Sequence, residues 1–209
     1  MTKKNSALMI VTALFVTFYL VSNIMAVKII GFYNLFYFDA GTITFPFAYM
    51  LGDLLTEIWG YRTAKKVIFL TFICNIIMVL CTTIGVLLPS PTYVEETAMA
   101  YNHIFTYIPR IIIGSLAGFL FGELSNAWFM AKIKVLTRGK YLWIRTIGSS
   151  SIGYLLDTIP FVLIAFGGIA PWEDLAIMIL IQYCLKLGIE AFFGTPIAYA
   201  TINFIKRKI

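Results

Sequence analysis

The chain has 209 residues, of which 60% are hydrophobic and 12% charged, with a formal net charge of +6 and a mean hydropathy of +0.89. So little polar surface cannot cover a water-facing globule, which excludes an ordinary soluble domain and points to the lipid bilayer as the solvent. The basic residues cluster at alternate ends of apolar runs and form no single patch, so the positive charge is read as membrane topology and no nucleic-acid partner is expected.

A helix needs roughly 20 apolar residues to cross the hydrocarbon, and the chain accommodates about six spans in one transmembrane domain over residues 1–209. Span one is predicted from Ala7 to Ile29; it is longer than a signal-peptide core and has no small-residue cleavage pattern before Lys28, so it is expected to be retained. The connection Gly31 to Gly41 carries Phe32, Tyr33, Phe36, Tyr37 and Phe38, rings that suit headgroup depth. Span two is predicted from Thr42 to Trp59. Span three, Val67 to Leu88, ends at Pro89 and Pro91, and a polar loop with Glu95, Glu96 and His103 is expected to follow. Span four runs from Pro109 to Ala131, span five from Ile144 to Phe166 and span six from Leu175 to Phe204.

This all-α arrangement places both termini on one side. Lys3, Lys4, Arg62, Lys65, Lys66, Lys132, Lys134, Arg138, Lys140, Arg145, Lys206, Arg207 and Lys208 fall on that side, which the positive-inside rule makes the cytoplasm. Cys74, Cys81 and Cys184 lie in apolar runs without a CxxC pair or ligand spacing. They are read as packing residues, and no metal or cofactor is expected. Gly114, Gly118 and Gly122 repeat every fourth residue, so another helix can approach span four closely. Pro160 and Pro196 interrupt spans five and six, which is tolerated where polar groups or a cavity satisfy the freed carbonyls.

Against this background, Lys28, Asp53, Glu57, Arg110, Glu123, Asp157, Lys186 and Glu190 sit in or at the ends of apolar runs. Each charge at bilayer depth costs about 2.5 to 3.5 kcal/mol on insertion scales, so these residues are expected to face a partner, a water-filled cavity or a substrate. Asp53 and Glu57 share a helix face; they either accept protons or N–H groups, or Glu57 pairs with Arg62 or Lys65 at the helix end. Gln182, Lys186 and Glu190 form one stripe, in which Lys186 and Glu190 could neutralise each other across a turn. Glu123 with Asn126 on span four and Asp157 on span five complete a polar set drawn from several helices, as a binding site between helices requires. Asn23 and Lys28 close span one, where Lys28 could simply snorkel to the headgroups. Arg110 follows Pro109 at a helix start, where a cation opposes the macrodipole unless paired or recruited by a ligand.

Asp53 and Asp157 do not make an intramembrane aspartyl protease, since Leu51-Gly52-Asp53 lacks GxGD and Leu155-Leu156-Asp157 lacks the expected tyrosine. No HExxH, Walker A or nucleophile elbow occurs, so no enzyme is expected.

The stretch Ser22-Asn23-Ile24-Met25-Ala26-Val27-Lys28, then Phe45-Pro46 and Asp53-Leu54-Leu55-Thr56-Glu57-Ile58-Trp59-Gly60-Tyr61, resembles the queuosine precursor transporter family of bacteria. Gly122-Glu123-Leu124-Ser125-Asn126, Trp143 to Arg145 and Gly153 to Asp157 also look like that family's segments, in the same order and over nearly the whole chain. The resemblance implies an inner-membrane importer of 7-cyano-7-deazaguanine or 7-aminomethyl-7-deazaguanine for tRNA queuosine salvage. A guanine-like edge presents N–H donors beside a carbonyl, so Glu57, Glu123 or Asp157 would take the donors and Asn23, Asn126, Arg110 or Lys186 would serve the carbonyl. The family is also similar to the six-helix substrate-binding subunits of energy-coupling-factor vitamin importers, which recruit a separate ATPase module. Span one offers only Ala7 and Ala13 in its inner half for docking such a module, so a self-sufficient transporter is expected. Coupling ion and homodimerisation are left open by the sequence.

Overall fold

The computed structural model describes residues 3–32, 36–106 and 109–208, with the side chains of residues 3, 32, 36, 106, 109 and 205–208 excepted. Tyr33, among the aromatic residues of the first connection, lies outside the described residues, as do the side chains of Phe32, Phe36, Lys3, Lys206, Arg207 and Lys208. The elements in chain order are α1 (Lys3–Met25), a hairpin of β1 (Ile29–Phe32) and β2 (Phe36–Asp39), α2 (Gly41–Trp59), α3 (Tyr61–Leu87), α4 (Glu95–Thr106), α5 (Pro109–Leu136), α6 (Leu142–Phe166), α7 (Trp172–Ile189), a π turn at Glu190–Gly194 and α8 (Thr195–Lys208).

Three expectations are corrected. The first connection is an antiparallel hairpin with Ile29 opposite Asp39 and Phe32 opposite Phe36, because β-branched and aromatic residues pair readily as strands. The expected polar loop contains the helix α4, whose first turn carries Glu95 and Glu96, acids that favour a helix N-terminus. Span three starts earlier, at Tyr61, since Gly60 with φ 82° is the single residue that separates α2 from α3, a conformation glycine adopts without steric cost.

Burial is inverted relative to a soluble protein. Leu80 and Ile84 are more than half exposed, whereas Arg145 is 2% exposed and Glu123 and Asn126 fully buried; such a distribution needs lipid around the outside. Among the described residues, five helical stretches are long and apolar enough to cross a membrane: Lys4–Met25, Tyr61–Leu87, Arg110–Leu136, Leu142–Phe166 and Trp172–Phe204. The chain is thus a multi-pass α-helical membrane protein. The 19-residue α2 is not among them. It is buried from Gly41 to Glu57 with few breaks and touched by α1, α3, α5, α6, α7 and α8, so it faces protein and can carry polar residues.

Close packing of α5 on α6 fixes this centre. A Cβ on Gly122 would meet the Cβ of Asp157 at 2.7 Å and the carbonyl of Gly153 at 2.9 Å, and one on Gly153 would meet the Tyr49 ring at 2.8 Å. The glycine spacing in span four therefore serves contact with α6, as expected. Pro160 sits inside an α6 assigned as one continuous helix, whereas the stretch before Pro196 widens into the π turn. Such a turn absorbs a missing N–H and re-aims the side chain of Glu190.

Candidate functional site

At the end of the bundle that bears the hairpin, α1, β2, α2, α5, α6 and α7 line a narrow pocket whose cavity volume is about 20 Å³, room for little more than a water molecule. Asn23 on α1 accepts a hydrogen bond at its carbonyl oxygen from the Ser115 hydroxyl of α5. Its amide nitrogen Nδ2 is buried with no hydrogen-bond partner among the described residues. Asp39 ends β2 and accepts from the backbone N–H and the hydroxyl of Thr42, both at 3.0 Å, satisfying the start of α2 as a capping side chain does. Lys186 on α7 donates to Asp157 Oδ2 at 2.7 Å and to the Thr158 hydroxyl at 3.0 Å, and its Nζ lies 4.8 Å from the Phe45 ring centroid. Phe45 and Phe161 supply apolar faces to the pocket. Burial pushes the Asp39 carboxyl above the ordinary carboxylate range, against the pull of the Lys186 charge and the Thr42 donors.

Deeper in the bundle lies a second polar level. Asn126 Nδ2 donates to Asp53 Oδ1 at 3.0 Å, and Asp53 Oδ2 is buried without a partner among the described residues. Glu190, aimed inward by the π turn, accepts from the Ser150 hydroxyl at 2.7 Å and from the Tyr154 hydroxyl. Glu123 is fully buried with neither carboxylate oxygen hydrogen-bonded among the described residues, and Gln182 is in the same condition at both polar atoms.

At the end bearing the termini, Glu57 Oε2 meets Arg145 Nη1 at 2.5 Å and Lys134 Nζ at 3.1 Å. Arg145 Nη2 also donates to the Gly139 carbonyl at 3.2 Å. Along α5 the polar positions Ser115, Glu123, Asn126 and Lys134 make a column about 28 Å long at a rise of about 1.5 Å per residue, close to the roughly 30 Å of a bilayer's hydrocarbon.

The expected site residues are therefore distributed over three levels. Asn23, Asp157 and Lys186 line the pocket; Asp53, Glu123, Asn126 and Glu190 hold the middle; Glu57 closes the far end. The partners differ from two sequence alternatives. Glu57 pairs with Arg145 and Lys134, because the turn of α5 into α6 brings those cations beneath α2. Lys186 binds Asp157 on α6, because Glu190 has been turned toward Ser150 and Tyr154. Two cations lie outside the pocket. Lys28 is exposed beside the hairpin, and Arg110 is exposed and donates to the carbonyls of Ile164 and Gly167 at the end of α6. Arg110 thus sits at the negative end of a neighbouring helix, which offsets its position at the start of α5.

Asp39, Thr42, Ser115, Phe45 and Phe161 were not among the expected site residues. Asp39 and Thr42 had a readable signal, an acid three residues before a hydroxyl at a helix start. Arg145 had been assigned to topology alone, and only the tertiary contact with Glu57 shows its second role.

Residues 39–201 match the family described as "Putative vitamin uptake transporter". The chain is 27% identical over 185 residues to a "Probable queuosine precursor transporter" of Bacillus subtilis, covering 88% of this chain and 80% of that protein. It is 29% identical over 175 residues to a "Probable queuosine precursor transporter" of Haemophilus influenzae, covering 81% and 70%. To the "Queuosine precursor transporter" of Escherichia coli it is 23% identical over 193 residues, covering 88% and 80%. No solved structure matches the chain.

Proposed function

The chain belongs to the vitamin uptake transporter family, a family of transporters and not of enzymes, and from that premise we propose that it imports queuosine precursors, 7-cyano-7-deazaguanine, 7-aminomethyl-7-deazaguanine or both, for tRNA salvage. It does so in the bacterial inner membrane as a single six-span domain, with α2 as the sixth span and both termini in the cytoplasm. The names of the three relatives support the cargo class, and the polar, protein-facing character of α2 supports its place among the spans.

The observation that carries the reading is the buried amide nitrogen of Asn23, beside the Tyr19 hydroxyl but without a hydrogen bond of ordinary geometry among the described residues, in a pocket that also holds Asp39, Asp157, Lys186, Phe45 and Phe161. A deazaguanine is flat, with N–H donors beside a carbonyl. The pocket encloses only about 20 Å³ in this structure and must widen to admit the base; carboxylates then accept the donors, Asn23 Nδ2 or Lys186 Nζ donates to the carbonyl, and the phenylalanine faces take the ring. A base lacking that edge would leave these buried groups unpaired and bind more weakly for that reason.

Equilibrium binding to the purified protein tests the assignment. Either deazaguanine should bind and raise the thermal unfolding temperature, adenine should not, and Asn23→Leu should weaken binding about tenfold through the loss of one buried hydrogen bond. Equal binding by Asn23→Leu and wild type would remove the pocket from the proposal.

A further inference from the structure

Glu123 is a buried acidic side chain with no hydrogen bond or ion pair of ordinary geometry among the described residues. It is fully buried on α5, and both its oxygens lack a hydrogen-bond partner among the described residues. Its Oε2 rests against Gly52 on α2, where an added Cβ would come within 2.8 Å of that oxygen and 3.3 Å of the Phe15 ring. The space the carboxyl occupies therefore exists because residue 52 has no side chain. Asp53, the next residue, has one oxygen on Asn126 and the other without a partner among the described residues.

The surroundings bring more negative charge and no spare cation. The titratable groups facing Glu123 are Tyr19 from α1, Tyr49 and Asp53 from α2, Asp157 from α6 and Glu190 from the π turn. Lys186 is held by Asp157, and Arg145 by Glu57. The side-chain donor beside Glu123 is Asn126, whose amide is already given to Asp53, so an ionised carboxylate here would have no counter-charge among the described residues, a costly arrangement inside a membrane. Among the described residues no three His, Cys, Asp or Glu side chains stand close enough to hold a metal ion. One oxygen suffices for a proton.

We propose that Glu123, with Asp53 beside it, is a proton-binding site separate from the cargo pocket, loaded and unloaded during each uptake cycle. The proton adds to a Glu123 carboxylate oxygen from water on one side of the membrane and leaves the same oxygen to water on the other. No bond in the cargo changes, and one positive charge crosses with it. The coupling rests on the uptake reading above, whereas proton occupancy of Glu123 does not.

Two measurements on the full-length protein separate these. Infrared spectroscopy of the purified wild type should show the C=O stretch of a neutral carboxyl group that is lost in Glu123→Gln and moved in Glu123→Asp. In proteoliposomes a pH gradient of one unit should drive about tenfold accumulation of 7-cyano-7-deazaguanine at one proton per cargo, and Glu123→Gln should lose this dependence. A spectrum unchanged by both substitutions overturns the proposal whatever the cargo. Uptake that equilibrates regardless of the pH gradient, or follows a sodium gradient at constant pH, overturns the coupling. A neutral carboxyl assigned to Glu123 with no uptake by the wild type supports the proton site and contradicts the cargo reading instead.

Discussion

Lys186 Nζ stands 2.7 Å from Asp157 Oδ2, with both side chains only 4% exposed, and so bridges α7 to α6 at the base of the hairpin-end pocket. A buried ion pair is poorly replaced one partner at a time, because the survivor is left as an uncompensated charge, at a cost of about 3–5 kcal/mol. Lys186→Met should therefore unfold at a markedly lower temperature in detergent. The double variant Lys186→Met with Asp157→Asn should recover most of that stability yet fail to take up deazaguanine. Uptake by a stable double variant would show that the pair only holds the helices together.

The far-end triad should respond unevenly. Arg145 is almost fully buried against Glu57, while the Lys134 side chain is 36% exposed. Arg145→Met is expected to cost about 3–5 kcal/mol and Lys134→Met about 1 kcal/mol or less. Thermal unfolding of the two variants side by side checks the ratio, and equal losses would contradict the burial argument.

Helix approach gives a sharper contrast. Gly122→Ala would press its methyl onto Asp157 and the Gly153 carbonyl, whereas a methyl at Gly148 meets only Ile133 at 3.6 Å. Gly122→Ala should lose about 1–3 kcal/mol by overpacking, and Gly148→Ala should be neutral or slightly stabilising because alanine is the better helix former.

Arg110 supplies a test of what the site excludes. Its guanidinium serves the carbonyls of Ile164 and Gly167 at the end of α6 and is exposed. Arg110→Ala should reduce stability by about 1 kcal/mol through the lost cap while leaving the affinity for a deazaguanine intact. A fall in affinity without a fall in stability would return Arg110 to the binding residues.

Asp39 gives the pH dependence. Its carboxyl is raised above its unfolded value, chiefly by burial, so the folded state retains a proton that the unfolded state has already lost. The stability this contributes is present below the ordinary carboxylate range and is lost as pH rises through the raised value. Asp39→Asn keeps an acceptor for the Thr42 N–H and removes the titration, so its stability relative to wild type should increase from pH 4 to pH 7. A constant difference would contradict the assigned shift.

The long apolar runs and their glycine and proline punctuation made the helices legible, because lipid leaves few other options for a chain so poor in charge. The hairpin was not legible, since Ile29 to Phe32 reads equally as the end of an apolar helix and its pairing with Phe36 to Asp39 is a tertiary fact. The inward-facing polar residues could be named from the cost of burying them. Their partners could not: Glu57 meets Arg145, Lys186 meets Asp157 and Glu190 meets Tyr154 across sequence separations that helix periodicity does not encode.

The most direct measurement of the central claim is queuosine in the tRNA of a bacterial strain unable to make or import the precursors, expressing this chain and given trace 7-cyano-7-deazaguanine. Restored queuosine in a host without an energy-coupling-factor ATPase module, and its loss in the stable Lys186→Met, Asp157→Asn double variant, is the expected result. Absence of queuosine with the wild-type chain correctly inserted would contradict self-sufficient import of this base.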